Sequence, residues 1–299
     1  MQTVRNWKAI SLGNGVDYKM ALDLVSKLPY DHPYRWDGRI FGGPKLWRPD
    51  ELGSDLSIWL DAEDTSTITL NGSTVSQWDD KSGNGRHVSQ ENATQQPAFT
   101  AGALSNKPVL TFDGINDTLQ RASAGLSGLS SVSIFVVMRY ITGGANEDVP
   151  VAVGTAGNAG RVRGLYRASG GISQGWAGWA RDVLVSAYSC DFGGGYHIFA
   201  GWNTSLVAGN NIVIARDGLS AVYTNSNGNL ATTVDGLGIG ELVGSNIRYT
   251  NASIAEVVIL PVAVTTSQQR LIEGYLAHKW GLVANLPAEH PYKATPPAA

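Results

Sequence analysis

Two adjoining segments near the C-terminus decide the fold class. The first reads Ala252-Ser253-Ile254-Ala255-Glu256-Val257-Val258-Ile259-Leu260. The second reads Ser267-Gln268-Gln269-Arg270-Leu271-Ile272-Glu273-Gly274-Tyr275-Leu276-Ala277-His278-Lys279-Trp280. The first is mostly apolar and rich in β-branched residues, which is typical of a strand. The second places Ile272, Tyr275, Leu276 and Trp280 on one face of a helix, so we predict a helix that packs flat on a sheet.

The ends of this helix carry recognisable capping signals. Thr265 or Thr266 can form a capping box with Gln268 or Gln269, and Gly281 is a suitable residue after the last turn. Glu256 stands among valines and isoleucines, so we expect it to be a buried carboxylate with a structural partner.

Short strands dominate the chain before this point. The segment 132–138 is almost wholly apolar, which predicts a central strand buried on both faces. Asp217-Gly218 is a hairpin turn, because glycine tolerates the positive φ that tight turns require. Further strands are predicted at residues 56–61, 75–79, 107–114, 195–202, 211–216 and 219–223.

Composition supports an all-β domain and excludes several function classes. Of the 299 residues, 16% are charged and 36 are glycine, which favours a sandwich with many turns over a helical protein. The net charge of −3 and the scattered basic residues argue against nucleic-acid binding. Cys190 is the only cysteine, so no intramolecular disulfide can form. We find no signal peptide and no membrane-spanning run, and therefore expect no membrane insertion.

Three further motifs, together with the terminal strand and helix, resemble a known family. They are Trp59-Leu60-Asp61-Ala62, the turn from Trp78 to His87, and the run from Pro108 to Gly114. In this order they resemble the concanavalin A-like lectin/glucanase (laminin-G-type) domains, over roughly residues 46–293. Such domains occur in phage virion proteins and bacterial surface proteins. The resemblance implies an all-β, two-sheet antiparallel jelly-roll sandwich, here with one C-terminal helix. In the Ser82-Gly83-Asn84-Gly85 turn we expect Asp80 to bind backbone amides.

A duplicated motif suggests an anchoring element at each end. Residues 17–28 are predicted to form a short helix, which is followed by a Leu-Pro-x-acid-His-Pro-Tyr-base pattern that recurs at residues 286–293. We interpret residues 1–50 as an N-terminal helical arm and residues 51–299 as the sandwich with its helix and tail. An equally supported alternative is that this N-terminal segment only packs against the sandwich and closes it. The predicted anchoring residues are Leu28, Pro29, His32, Pro33, Tyr34, His290, Pro291 and Tyr292.

The acidic residues predict no enzyme. Glycoside hydrolases need two carboxylates that flank the sugar bond, and sandwich hydrolases place them at alternate positions of one strand. Glu147 and Asp148 are adjacent, so on a strand they would face opposite sides of the sheet. No catalytic residue is therefore assigned.

A ligand site and a metal site are the remaining candidates. Sugar sites combine aromatic platforms with polar groups, and the segment 175–182 supplies both. The candidate ligand residues are Trp176, Trp179, Arg181 and Asp182, with packing or a subunit interface as the alternative. No cofactor is predicted. Calcium stays open, because many relatives hold it with loop carboxylates and carbonyls; the candidate ligands are Asp79, Asp80, Asn146, Glu147 and Asp148.

These observations lead to one function hypothesis and two alternatives. We predict a non-enzymatic phage virion structural protein, either a capsid decoration or a tail or fibre component, that is made in the host cytoplasm and displayed on the virion surface. Its partners would be other virion proteins, further copies of itself and host-surface glycans. The alternatives are a carbohydrate-binding module of a bacterial surface protein and a glycoside hydrolase of the same fold.

Overall fold

The computed structural model describes residues 45–142, 147–157, 159–168, 173–190, 192–226, 228–231 and 235–299. The chain divides into two compact units, Met1–Leu46 with Ala298–Ala299 and Trp47–Pro297. In the described part of the first unit, Leu46 and Ala298 form a β-bridge, and the amide of Ala299 donates to the carbonyl of Lys45. The predicted helix at residues 17–28 and most of the predicted arm lie outside the described residues.

The second unit consists of antiparallel strands followed by one α-helix. The strands are β1 Ile58–Asp61, β2 Ile68–Asn71, β3 Thr74–Trp78, β4 Val88–Ser89, β5 Ala98–Leu104, β6 Lys107–Asp113, β7 Leu119–Arg121, β8 Ser133–Tyr140, β9 Asp148–Gly154, β10 Val162–Arg167, β11 Ser173–Ala177, β12 Val183–Ser189, β13 His197–Asn203, β14 Gly209–Arg216, β15 Leu219–Asn225, β16 Leu237–Ile239 and β17 Asn251–Leu260. The helix α1 spans Thr266–Trp280. Short 3₁₀ helices lie at Pro49–Asp55, Thr65–Thr67, Ala93–Gln95 and Val283–Asn285.

The C-terminal strand lies at the centre of the sheet, as its apolar sequence requires. Strand β17 pairs with β8 along one side and with β1 and β6 in succession along the other. Beyond β8 the order continues through β13, β14 and β15. The predicted central strand at residues 132–138 is confirmed, because β8 is hydrogen-bonded on both sides and almost wholly buried. The predicted hairpin turn is also present, with φ of 51° at Asp217 and 90° at Gly218.

A second series of strands runs in the order β4, β7, β16, β9, β10, β11 and β12. Strand β3 joins the two series, because it pairs with β4 and also with β5, which pairs with β6. The strands of the described residues are thus linked into one continuous antiparallel sheet. This confirms the predicted all-β class with a C-terminal helix, whereas the predicted division into two separate sheets is not confirmed.

The sheet folds over so that its two series pack face to face. Gly201 on β13 faces the indole of Trp176 on β11, and a Cβ atom at Gly201 would lie only 2.8 Å from that ring. Glycine is therefore required there by close packing and not by its backbone angles. The core between the series contains fully buried side chains from most strands, among them Ile58, Trp78, Phe112, Ile134, Val151 and Ile254.

Helix α1 covers the other face of the central strands. Its N-cap Thr265 and Gln268 form a capping box, and Gly281 at its C-terminus has a left-handed φ of 73°. The predicted apolar face is confirmed, because Ile272, Leu276 and Trp280 are completely buried in the cluster under the helix. The helix is therefore held by the sheet and not by its intrinsic stability.

A buried charge network fastens this helix to the sheet. Glu256 accepts hydrogen bonds from the indole nitrogens of Trp59 and Trp280, at 2.7 and 2.6 Å, and pairs with Lys279 Nζ at 2.7 Å. Lys279 Nζ also lies 2.6 Å from Asp61 Oδ1. The prediction that Glu256 is a paired, buried carboxylate is thus confirmed.

Protonation states in this network follow from burial opposed by charge pairing. Burial alone would lower the pKa of Lys279, but Asp61 and Glu256 outweigh it and raise the pKa well above 10.5. Burial would raise the pKa of Asp61, but Lys279 and Lys81 outweigh it and lower the pKa to about 2. For Glu256 burial prevails, and the pKa lies above its usual value.

The Trp78–His87 turn is held by one carboxylate, as predicted. Asp80 accepts hydrogen bonds from the backbone amides of Trp59, Ser82 and Arg86, each at 2.9 Å. Because all three donors belong to the domain itself, this loop is a structural turn and not a phosphate-binding loop.

A pair of carboxylates at the C-terminal end of β6 makes stability depend on pH. Asp117 is 8% exposed, and burial together with the neighbouring Asp113 raises its pKa from 3.8 to about 6. Because the pKa of Asp117 is higher in the folded state, this group stabilises the fold to its full extent below pH 3.8, and the stabilisation is lost as the pH rises through about 6. Asp117→Asn removes the charge and can still accept the hydrogen bond from the Asp113 amide. We expect its melting temperature to exceed that of the wild type by about 2–4 °C at pH 8 and to match it at pH 4. An equal gain at both pH values in thermal melts would contradict this explanation.

Candidate functional site

A cavity of about 300 Å³ opens on the outer face of strands β9, β10 and β11. Its floor is apolar and consists of Val149, Val162, Ala177 and Leu242, which belong to a small third core cluster. The remaining lining residues are Glu147, Tyr166, Trp179, Ala180, Asp182 and Arg248. An apolar floor with a few convergent polar groups is typical of small-ligand sites.

The turn between β11 and β12 places Trp179 at this cavity. Trp179 and Ala180 have φ values of 48° and 57°, a left-handed conformation that costs non-glycine residues energy. Two contacts hold the turn in place: the Gly178 amide donates to Asp182 Oδ1 at 2.7 Å, and the Gly160 amide donates to the Trp179 carbonyl at 3.0 Å. Consecutive strained residues of this kind are often found at functional sites.

Glu147 is held in the cavity by two neighbours. Tyr166 Oη donates to Glu147 Oε1 at 2.8 Å, and Arg248 Nε donates to Glu147 Oε2. The guanidinium of Arg248 also lies 4.7 Å from the centre of the Trp179 ring, within range of a cation–π contact. Burial, followed by the hydrogen bond and charge of Glu147, raises the pKa of Tyr166 well above 10, so the phenol stays protonated and donates.

Asp182 brings a second carboxylate to the cavity. Its burial raises its pKa, and the negative charge of Glu147 adds to this, whereas the Gly178 amide and Arg248 oppose it. Glu147 and Asp182 lie 35 residues apart in the sequence, and no local pattern relates them. The cavity therefore combines an indole, a phenol, two carboxylates and one guanidinium above apolar side chains.

The four predicted ligand residues divide into two groups. Trp179 and Asp182 line the cavity. The proposed role of Trp176 as an exposed platform is wrong, because its side chain has no exposed surface and lies in the core. Arg181 does not line the cavity, and its Nη1 donates to the carbonyl of Ala180. Glu147, Tyr166 and Arg248 were not predicted as ligand residues, because they come from separate segments that only the fold brings together.

The four predicted metal-binding carboxylates do not converge. Asp79 pairs with His87 at 3.1 Å, and Asp80 is occupied by backbone amides. Glu147 pairs with Arg248, and the buried Asp148 pairs with Arg167. Asn146 lies outside the described residues. Among the residues that the structure describes, no three His, Cys, Asp or Glu side chains are grouped to hold a metal ion. Calcium therefore stays a prediction from the resemblance alone.

The C-terminal copy of the predicted anchoring motif packs against helix α1. His290 is 5% exposed, and the side chain of Tyr292 lies against Gly274, where a Cβ atom would approach it to 2.6 Å. The carbonyl of Tyr292 accepts a hydrogen bond from His278 at 2.7 Å. Pro291 lies between them as an exposed residue of the same turn. The N-terminal copy, with Leu28, Pro29, His32, Pro33 and Tyr34, lies outside the described residues.

No helix in the described part of the chain is both long and apolar enough to span a membrane.

Comparisons with known proteins show similarity of fold but not of sequence. No protein-family model and no curated sequence matches the chain. Among solved structures, one similar to this protein is a Trypanosoma rangeli sialidase in complex with sialic acid. The match covers 88% of this chain and 37% of the sialidase chain, with 11% sequence identity and a TM-score of 0.52. The match to the binding domain of Paraclostridial Mosquitocidal Protein 1 covers 76% of this chain and 53% of that chain, with 11% sequence identity and a TM-score of 0.52.

The extent of these matches limits what they show. The chain spans little more than a third of the sialidase and about half of the mosquitocidal binding domain. At this identity the likeness shows a shared β-rich fold. The chain therefore shares a β-rich fold with part of each of these two proteins.

Proposed function

We propose that this domain is a non-catalytic carbohydrate-binding module whose site is the cavity lined by Trp179. The observation that supports this most is the combination of an indole ring with Glu147, Asp182 and Arg248 above an apolar floor. Sugars present apolar C–H faces that stack on aromatic rings, together with hydroxyl groups that seek charged hydrogen-bond partners.

The preorganisation of the side chains favours binding. Glu147 is already fixed by Tyr166 and Arg248, and Asp182 by the Gly178 amide. Side chains that are ordered before the ligand arrives lose little conformational entropy when it binds. The strained turn at Trp179 and Ala180 holds the indole in place in the same way.

A glycoside hydrolase is the second candidate, favoured by the presence of two carboxylates in one cavity. The raised pKa of Asp182 would suit a general acid, and Glu147 would be the partner carboxylate. Against this, both oxygens of Glu147 accept hydrogen bonds from other side chains, which suits a binding group better than a nucleophile or base. Release of reducing sugar from a bound glycan, abolished in Asp182→Asn, would favour the hydrolase.

The proposal is tested by glycan binding and one tryptophan substitution. We expect the protein to bind at least one glycan on an array, and Trp179→Ala to weaken that binding at least about tenfold, which corresponds to about 1.4 kcal/mol or more. Phe192→Ala is the matched control, because Phe192 is a 38% exposed aromatic residue that does not line the cavity. Isothermal titration with the best array ligand measures both variants. The absence of any glycan ligand, or equal losses in both variants, would end the proposal.

The finer fold and the biological setting remain proposals. The packing of Trp176 against Gly201 supports a two-sheet, concanavalin A-like arrangement. Display on a phage virion, with residues 1–50 as the anchor, glycans or virion proteins as partners and self-association, rests on the sequence resemblance alone. Detection of the chain in purified particles would test that setting separately from glycan binding.

A further inference from the structure

We propose that the cavity accepts a single sugar ring at the end of a glycan chain, and that Arg248 closes it against a continuing chain. This inference rests on the proposed glycan-binding function and specifies which part of a glycan binds. It follows from the size of the cavity, from the aromatic rings that line it and from the contacts that Arg248 makes.

The cavity is small for a glycan site. Its volume of about 300 Å³ lies at the lower limit of the roughly 300–1,000 Å³ that pockets for drug-sized ligands occupy. A single sugar ring with its hydroxyl groups is smaller than most drug-sized ligands, whereas a chain of several rings is larger. The volume therefore favours one ring.

One aromatic ring of the described lining offers its face to a ligand. Trp179 is partly buried and lines the cavity. Tyr166 is the other aromatic residue of the described lining, but it is only 6% exposed and its hydroxyl donates to Glu147. Trp176 lies in the core and offers no face at all. Because each sugar ring that stacks needs an aromatic face of its own, a single accessible indole fits a single ring.

Arg248 connects the two sides of the cavity. Its Nε donates to Glu147, which immediately precedes β9. Its guanidinium lies 4.7 Å from the ring centre of Trp179, which follows β11. Strand β10 pairs with β9 on one side and with β11 on the other, so these contacts span the three strands of the cavity floor. A sugar chain cannot continue across this side of the cavity unless the contacts of Arg248 break.

The position of Arg248 is fixed by its backbone as well as by its side chain. Its carbonyl accepts a hydrogen bond from the Val149 amide at 3.4 Å, and its amide donates to the buried carboxylate of Glu241 at 3.4 Å. Its Nη1 donates to Ser245 Oγ at 3.3 Å. The side chains of Arg248 and Glu147 are 22% and 29% exposed, so salt screens their ion pair less than a fully exposed pair. Breaking these contacts would oppose the binding of a continuing chain.

The size of the ligand is tested with a chain-length series. The best glycan from the array is shortened stepwise to each of its terminal monosaccharides, and isothermal titration measures the dissociation constant of every member. We expect the full oligosaccharide to bind less than about tenfold more tightly than the better of the two monosaccharides. A gain of about tenfold or more would show that several rings contact the protein, and would overturn the single-ring cavity.

The closure by Arg248 is tested with capped chains. A bulky ether on each terminal ring of the same oligosaccharide leaves only internal rings to bind, and should weaken binding to the wild type by at least about tenfold. Arg248→Ala opens the cavity, so this capping ratio should fall by at least about threefold. Arg270→Ala is the matched control, because Arg270 is an exposed arginine of α1 that does not line the cavity, and it should leave the ratio unchanged. Thermal melts of both variants verify that they are folded.

The outcomes separate this inference from the proposed function. If no glycan binds, the proposed function fails. If glycans bind but the caps weaken binding to the wild type by less than about tenfold, the restriction to chain ends fails while glycan binding stands. If folded Arg248→Ala keeps the capping ratio of the wild type, Arg248 does not close the cavity.

Discussion

Replacing Lys279 with methionine is expected to lower the free energy of unfolding by about 3–5 kcal/mol. Lys279 is the buried cation that holds Glu256 and Asp61 together, at 2.7 and 2.6 Å from their oxygens. Glu256 has no exposed surface and Asp61 is only 4% exposed, so neither carboxylate can regain water when the cation is removed. Methionine preserves most of the side-chain volume, so the loss reports charge and not a cavity. Urea denaturation followed by tryptophan fluorescence measures it.

Lys81 provides a matched control for this substitution. It also pairs with Asp61, at 2.8 Å, but its side chain is 17% exposed and its second partner, Asp64, is more exposed still. Lys81→Met should therefore cost about 1 kcal/mol or less. The double variant Glu256→Gln with Lys279→Met should recover part of the loss, because it neutralises Glu256, whereas Asp61 keeps its ion pair with Lys81. Equal losses for Lys279→Met and Lys81→Met would show that burial does not determine the strength of this network.

The sequence predicts those parts of the fold whose signals are local. The helix cap at Thr265 and Gln268, the hairpin at Asp217 and the apolar β17 each lie within a few residues, and the structure contains all three. The burial of Glu256 could also be inferred from its apolar neighbours. Its hydrogen bond to Trp59 could not, because that residue lies 197 positions earlier in the chain.

The candidate site was only partly predictable for the same reason. Glu147 was set aside because Asp148 beside it would face the opposite side of a strand, and that reasoning considers only neighbours on one strand. Its actual partner Arg248 is 101 residues away. The sequence-based search for paired carboxylates therefore did not find that Glu147 and Asp182 line one cavity. Contacts between loops that flank different strands bring the polar residues of this site together.

The two tryptophans of the β11 segment show how one turn separates core from site. Trp176 is the last residue but one of β11 and points into the core, whereas Trp179 lies in the turn that follows and lines the cavity. Only three positions separate them, so the composition of the segment suggested that both indoles line one ligand site. The left-handed turn at Trp179 and Ala180 directs the Trp179 indole to the cavity. No sequence motif predicted this turn.

Trp176→Ala is accordingly expected to destabilise the fold by about 3–5 kcal/mol, the range for removing a fully buried aromatic side chain. Trp179→Ala should cost about 1 kcal/mol or less in stability, since its ring is only partly buried, while it weakens glycan binding at least about tenfold. Chemical denaturation of both variants provides the comparison.

Gly201 supplies an internal control for the Trp176 prediction. Because a Cβ atom there would lie 2.8 Å from the Trp176 ring, Gly201→Ala should destabilise the wild type but cost much less in the Trp176→Ala background, where the indole is absent. Additive losses would show that the two side chains do not share one packing site. A Trp176→Ala variant that is as stable as Trp179→Ala would contradict the burial of Trp176 between the strand series, and with it the face-to-face packing that separates core from cavity.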